Sequence, residues 1–452
     1  MKLFPDHWKT DSVSALCSDV VDCVNKTAPV VDGPTEYKMI RTTNVKAGRI
    51  NLDDCRYVDE ATFVKWTRRI QPKRNDIILT REAPLGEVGL LRSDESVFLG
   101  QRTMLYRANP EKLDQRFLYY SMLGPLVQGQ ITSQGSGATV EHLRVPDAES
   151  FLVAYPPLDE QRRIAALLSA YDDLIANNQR RIALLESMAE EIYREWFVRM
   201  RFPGADRRPS SNGVPAGWET RSLRSLIAHY IGGGWGEEQA STTCPEGAFV
   251  FRGTDLPAVQ DGDWGEFVYR FHKTSALASR TLVPGDFVFE VSGGSTNQLL
   301  GRNLMVSGQL LEQLEAPAIC ASFCKLIRFD HSVMAPLWMK YFLKLYYDSG
   351  LVGLYQVQST GISNYQFEAF ITRQTVLVPD TRLQVEFCKL VEPLNEQRDS
   401  LARANLRLKK TRDALLPRLI SGKLRIEALD IQFPPSMQPP PAEAAPHEAI
   451  AR

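Results

Sequence analysis

The chain repeats itself. Phe4-Pro5-Asp6-His7-Trp8 followed by Ser12-Val13-Ser14-Ala15-Leu16 returns as Val214-Pro215-Ala216-Gly217-Trp218 followed by Ser222-Leu223-Arg224-Ser225-Leu226, a displacement of 215 − 5 = 210 residues. Met39-Ile40-Arg41-Thr42-Thr43-Asn44-Val45 matches Val250-Phe251-Arg252-Gly253-Thr254-Asp255-Leu256, and Asp76-Ile77-Ile78-Leu79-Thr80 matches Asp286-Phe287-Val288-Phe289-Glu290. The copies meet again at Leu105-Tyr106-Arg107 with Leu326-Ile327-Arg328, at Tyr120 with Tyr341, and at Gln134 to Gly137 with Gln358 to Gly361. Matches in the same order along two stretches imply one supersecondary plan used twice. With 452 residues and 44% apolar content, the chain can build a separate core for each copy.

A long helix is expected to close each copy. From Asp159 to about Phe197 there is no Gly or Pro, and Ile164, Tyr171, Leu185 and Ile192 fall on an apolar stripe. After Val378-Pro379 the stripe is stricter, with Leu394, Leu401, Leu408 and Leu415 at intervals of seven, the mark of a helix seam. Pro393 should kink the first turns. Some 38 residues rising 1.5 Å each extend roughly 57 Å, more than a small domain can cover, so each helix is expected to take the other as partner, the alternative being that each packs on its own half. Asn178 and Asn405 lie near the seam, where either a buried amide pair or a solvated position fits the pattern.

Catalytic motifs are missing. Ala154-Tyr155-Pro156-Pro157-Leu158 lacks the acidic or amide residue that an amino-methyltransferase places before its prolines. Ser421-Gly422-Lys423-Leu424 has Pro417 at the first glycine of a phosphate loop and Leu424 in place of its hydroxyl residue. Glu386-Phe387-Cys388-Lys389 has the wrong spacing for a nuclease carboxylate set. Six histidines and seven cysteines sit at irregular spacings, so neither zinc nor a disulfide framework is readable, and no metal or cofactor is expected in this chain. The N-terminus has no basic and apolar leader, and no run of about 18 apolar residues occurs, so a soluble protein of the reduced cytoplasm without a membrane partner is expected.

A net charge of −1 provides no global attraction for nucleic acid, so that case rests on local features. In the first copy Lys65, Arg68, Arg69, Lys73, Arg74 and Arg81 make a basic run around Trp66, suited to phosphates. Arg41 and Thr43 end an apolar strand, and Gln101-Arg102 carries the side chains that suit adenine and guanine edges. Ser136 and Thr139 lie in a small-residue loop that lets a backbone approach closely. In the second copy Arg252 and Thr254 end the matching strand, and Lys273, Arg280 and Arg302 are candidates for phosphate contact. Ser295, Asn297, Gln298, Thr360 and Ser363 are candidates for base edges or backbone.

Leu158-Asp159-Glu160-Gln161-Arg162-Arg163-Ile164-Ala165, Tyr193-Arg194-Glu195-Trp196-Phe197-Val198-Arg199, Arg201-Phe202-Pro203-Gly204 and Leu415-Leu416-Pro417-Arg418-Leu419-Ile420-Ser421-Gly422-Lys423-Leu424 resemble segments of type I restriction-modification specificity subunits. The resemblance runs from Phe4 to about Leu424. It implies an α/β (α+β) fold of two pseudo-repeated target-recognition domains joined by a long antiparallel two-helix coiled coil. The expected division is 1–154 for the first recognition domain, 155–202 for the central helix, 203–377 for the second domain, 378–425 for the distal helix and 426–452 for a disordered Pro/Ala-rich tail. It also implies a non-catalytic subunit that reads the two halves of an asymmetric double-stranded DNA target. Two methyltransferase subunits and restriction/translocase subunits would dock on it, and S-adenosylmethionine, ATP and Mg would belong to those partners. The second helix departs from the family pattern in Thr381-Arg382-Leu383-Gln384-Val385 and Pro393. A methylation-only system or a structural coiled-coil adaptor are the alternatives.

Overall fold

Runs such as Ile77-Ile78-Leu79 and Phe287-Val288-Phe289, apolar on both faces, become central strands because both faces meet a core. The computed structural model describes residues 4–135, 141–205, 210–211, 214–265, 267–293, 298–359, 362–426 and 429–438. The chain divides into two compact units, Met1–Asp173 with Lys409–Arg452, and Leu174–Leu408. Each cut falls inside a long helix, where the expected domain edges lay at the helix ends.

In the first unit an antiparallel four-stranded sheet has the order Cys17–Asp22, Thr103–Ala108, Ile77–Arg81, Leu85–Leu90. A three-stranded sheet has the order Arg56–Val58, Tyr37–Ile40, Ser96–Leu99, its last pair parallel. The second unit repeats both. Its four strands are Ile227–Gly232, Cys324–Phe329, Phe287–Glu290 and Asn303–Met305, and its three are Val268–His272, Glu246–Phe251 and Ala318–Cys320, again with the last pair parallel.

Equivalent polar bonds show that the repeat extends to side chains. Asp76 is buried and pairs with Arg107 at 2.6 Å, and Asp286 is buried and pairs with Arg328 at 2.7 Å. The backbone enters the central strand through the same turn, with Asn75 N–H donating to Leu91 O and Gly285 N–H to Val306 O. Both turn residues have positive φ, 72° and 90°, a conformation open to Asn and Gly. Gln161 accepts from Asp114 N–H and donates to Pro156 O, while Gln384 accepts from Ala335 N–H and donates to Pro379 O. A buried glutamine thus clips the first turn of each long helix to its own unit.

The helices span Leu158–Tyr193 and Thr381–Leu419, the second continuing through Pro393 and Pro417 without a break. Within the second unit they run antiparallel: Asn178 donates to Asn405 at 2.9 Å, Arg398 to Glu186 at 3.1 Å, and Tyr193 packs on Phe387. Within the first unit Arg412 donates to Asp172 at 2.6 Å. Asn405 is 2% exposed and Asn178 half-buried, so the amide pair is partly buried.

The seam differs from the expected one. Leu394, Leu401, Leu408 and Leu415 are only half-buried, as are Tyr171, Leu185 and Ile192. The fully buried positions at sevens are Leu168, Ile175, Ile182 and Ala189 on the first helix, and Val391, Arg398 and Asn405 on the second. Ile164, expected at the helix pair, is buried in the core of the first unit. A helix that faces both a partner helix and a folded domain has a broad buried arc, so the leucine row is its flank, and charged residues lie inside.

The tail differs too. Ile426 is buried, Ile431 and Met437 pack on the first unit's core, and Arg116 donates to Ser436 Oγ at 2.7 Å and to Ser436 O at 2.6 Å. Residues 429–438 are therefore seated where a disordered tail was expected, because apolar residues between the prolines and a buried guanidinium hold them. Residues 439–452 lie outside the described residues.

Glu186 links two cations, accepting from the largely covered Lys340 at 2.8 Å and from the buried Arg398 at 3.1 Å. Although burial works against it, these two cations hold its carboxyl below the usual glutamate range. Glu186→Gln should cost about 3–5 kcal/mol, the scale for breaking a buried ion pair. A folded-state pKa below the unfolded value of 4.5 stabilises fully above that value and is lost as pH falls. The gap between wild type and variant in urea unfolding should accordingly be full at neutral pH and shrink below about pH 4.5.

Candidate nucleic-acid interface

In both units the three-stranded sheet ends in an arginine whose backbone N–H is capped by a side chain three residues on. Arg41 N–H donates to Asn44 Oδ1 at 2.8 Å, and Arg252 N–H to Asp255 Oδ2 at 2.9 Å. The cap turns the chain sharply and leaves Thr43 and Thr254 exposed at the tip. The two guanidiniums are engaged locally. Arg41 donates to Asp54 Oδ2 at 3.1 Å, and Arg252 makes a forked contact with Asp255, its shortest bond 2.6 Å.

In the first unit this tip is tied to two neighbours. Thr42 Oγ1 donates to Ala83 O, Gly100 N–H to Ile40 O, and Arg81 N–H to Arg102 O. Arg41, Thr43, Gln101 and Arg102 therefore share one end of the sheets. Arg102, at a φ of 68°, pairs with Glu82 at 3.1 Å, and the same carboxylate meets His142. Gln101 accepts from Thr27 at 3.2 Å.

The basic run does not form one face. Lys73 and Arg74 precede the strand Ile77–Arg81 and Arg81 ends it, so they lie at opposite ends of that strand. Arg81 is a correction: it is 7% exposed and donates to Leu143 O at 3.1 Å, a structural role forced by its place in a central strand. Arg69 pairs with Asp22 at 2.5 Å and Arg74 with Asp94 at 2.8 Å, which removes much of their pull on phosphates. Lys65, Arg68 and Lys73 remain exposed without an ion pair among the described residues, Lys65 lying over the Trp66 ring. Ser136 and Thr139 lie outside the described residues.

In the second unit the candidates converge on a cavity of about 560 Å³. Arg252, Thr254, Gln298 and Arg302 line it, together with Trp235 and Phe323. Its floor is the pair of Arg302 and Glu290, Nε to Oε2 2.8 Å, both side chains nearly buried. The Gln298 amide oxygen, oriented to accept, faces the Arg302 guanidinium. Phe323 is 62% exposed and Trp235 42%, the latter stacked under Arg270 at 5.2 Å. Two exposed aromatic faces beside forked cations form a surface able to take planar bases and phosphates. Phe323 and Trp235 carried no repeat signal in the sequence; the run Gly232-Gly233-Gly234 before Trp235 is the one local mark of a close backbone approach.

Lys273 is exposed at the start of the short helix Thr274–Arg280, whereas Arg280 is held by Gly232 O at 2.9 Å; both border a different recess. Ser363 is a correction, since it is 2% exposed and its carbonyl accepts from Ser292 within the strand pairing. Ser295, Asn297 and Thr360 lie outside the described residues.

The shared frame carries different chemistry at equivalent points. Thr80 faces Glu87, whose N–H donates to Thr80 Oγ1; in the second unit the facing residues are Glu290 and Arg302. The residue next to the loop thus changes from a carboxylate to a guanidinium.

A family model described as type I restriction modification DNA specificity domain matches residues 18–187. The chain is similar to the type I restriction enzyme MjaIX specificity subunit of Methanocaldococcus jannaschii, 24% identical over 393 residues, which is 83% of each chain. It is similar also to that organism's MjaVIII specificity subunit, 29% identical over 173 residues, 36% of this chain and 38% of the other. Among solved structures, the type I restriction-modification S subunit from M. genitalium is similar with a TM-score of 0.48 and 16% identity, covering 93% of this chain and 98% of that one. No helix among the described residues is long and apolar enough to cross a membrane.

Two substitutions should separate the cavity floor from its rim. Glu290→Gln leaves a buried guanidinium without its anion and should destabilise the second unit by about 3 kcal/mol. Phe323→Ala removes a mostly exposed ring and should shift stability by less than about 0.5 kcal/mol. Urea unfolding of the full chain checks both.

Proposed function

We propose, for a chain that belongs to the type I restriction-modification specificity-subunit family, that each unit reads one half of an asymmetric, bipartite DNA target and that the chain itself performs no chemistry. The observation that carries this reading is the pairing of a repeated frame with unrepeated tips: one sheet order and one capped arginine occur twice, while Thr80 and Glu87 stand where the second unit has Glu290 and Arg302. Two readers of one design then recognise two different sequences. Exposed cations position the backbone of the duplex, and the loop side chains discriminate bases.

Each long helix lends one part to each unit, so the pair is the element suited to setting the spacer between the two half-sites. Partner subunits supply the activity: two methyltransferase subunits with S-adenosylmethionine, and restriction/translocase subunits with ATP and Mg. The complex works in the cytoplasm, where the cell's DNA and incoming phage DNA are found.

Mapping of methylated sites in cells that express the complex tests the reading. Phe323→Ala and Gln298→Ala should relax one half-site at a cost of about 1–3 kcal/mol per lost base contact, leaving the other half unchanged. Equal loss of both halves would rule out separate readers. A four-residue insertion in either helix should lengthen the unspecified gap; a gap of unchanged length would remove the helices as its determinant.

A further inference from the structure

The pseudo-repeat allows the two units to be compared face by face. On the first unit a groove beside the long helix is filled by residues 429–438 of the chain itself. Arg163 donates to Ile426 O at 3.0 Å and to Leu429 O at 2.6 Å, Arg116 holds Ser436, and Ser436 N–H donates to Asp173 at 3.3 Å. Ala165, Ala166 and Ser169, small enough to admit the segment, are fully buried along this face.

The counterpart on the second unit is an open groove of about 460 Å³. The matched glutamine bonds set the correspondence, 384 − 161 = 223 along the helix and 335 − 114 = 221 at its docking site. Ser169 and Asp173 then correspond to Glu392 and Glu396, and Arg116 to Leu337, and all three counterparts line the groove. Arg163 corresponds to Glu386, and Arg92 to Ser307 through the matched turn, 306 − 91 = 215. Three arginines beside the filled groove have thus become a serine, a leucine and a glutamate that is paired with Arg382 outside the groove lining, and two further carboxylates have been added or kept. Glu312 and Asp399, also at the groove, are already paired with Arg403 and Arg398. Glu392 and Glu396 are exposed and enter no ion pair among the described residues.

We propose that this groove of the second unit, lined by Leu337, Cys388, Glu392 and Glu396, is the docking site for an extended, lysine- or arginine-bearing segment of a partner subunit. The seat has the place of one that holds an extended peptide in the first unit, and its charge is inverted, so its occupant carries positive charge. DNA does not fit, because the carboxylates repel phosphate. The chain's own last residues, 439–452, do not fit either, since Glu443 and Glu448 outnumber Arg452. The inference rests on the reading that partner subunits assemble on this chain.

The test uses the full chain reconstituted with its methyltransferase partner, with photoreactive p-benzoylphenylalanine in place of Lys389, one turn from Glu392. The expected result is a cross-link to one Lys/Arg-rich partner segment. Glu392→Lys combined with Glu396→Lys should abolish it and weaken assembly about tenfold, a size expected for charge reversal at a docking surface. Glu111→Lys, an exposed reversal on the first unit, should leave both unchanged, and each variant's thermal unfolding should match wild type. Assembly of the Lys389-substituted chain without a cross-link, a cross-link to an acidic segment, to a second copy or to this chain's own tail, or double-variant assembly at wild-type strength would each overturn the groove. Failure of the wild type to assemble at all would instead overturn the reading on which it rests.

Discussion

The structure depends on how a helix far longer than a domain is fastened at its beginning. A buried glutamine side chain supplies both an acceptor and a donor to backbone groups that would otherwise be stranded inside, Gln161 in the first unit and Gln384 in the second. Leaving such groups unmatched costs about 1–3 kcal/mol each, so the position tolerates few side chains. Once the first turn is clipped, the rest of the helix is free to meet the other long helix. Partly buried polar pairs then select the register, because Asn178 with Asn405 and Glu186 with Arg398 satisfy one another in one alignment only.

On this frame, variation is concentrated where strands end. Framework carboxylates such as Asp76 and Asp286 keep their arginines in both units, since a change there leaves a charge buried. One strand-length away the two units differ, and Thr80 with Glu87 is exchanged as a set for the nearly buried pair of Glu290 with Arg302. The same logic operates along the helix face, where a seat for the chain's own segment in one unit becomes an acidic groove in the other. A duplicated fold thereby separates what must be held from what is free to differ.

Much of this was legible from residues alone. Collinear repeats located the paired strands, since an apolar strand entered by Asp and apolar strands closed by Arg reappear in the same order. The length of two glycine-poor stripes required a helix pair. The binding surface was less legible: Arg81 looks like the end of a basic run, yet it belongs to a central strand and is buried, while Phe323 and Trp235 have no neighbours in sequence that mark them as exposed. Ser363 was misleading for the same reason as Arg81, a polar residue placed by strand pairing inside the unit.

Local order, period and repetition therefore determined the twofold plan, the sheet-forming segments and the two helices, because these follow from chain-local propensity and from apolar spacing. Tertiary structure alone decided which face of each helix is the seam, since a stripe broad enough for two neighbours does not say which neighbour each leucine meets. It also decided which charges are spent on one another, as with Arg69 and Asp22 or Arg302 and Glu290, because ion pairs join residues distant in sequence. And it decided that a Pro-rich segment near the end is held in place, since the guanidinium that holds it, Arg116, lies some 320 residues away along the chain.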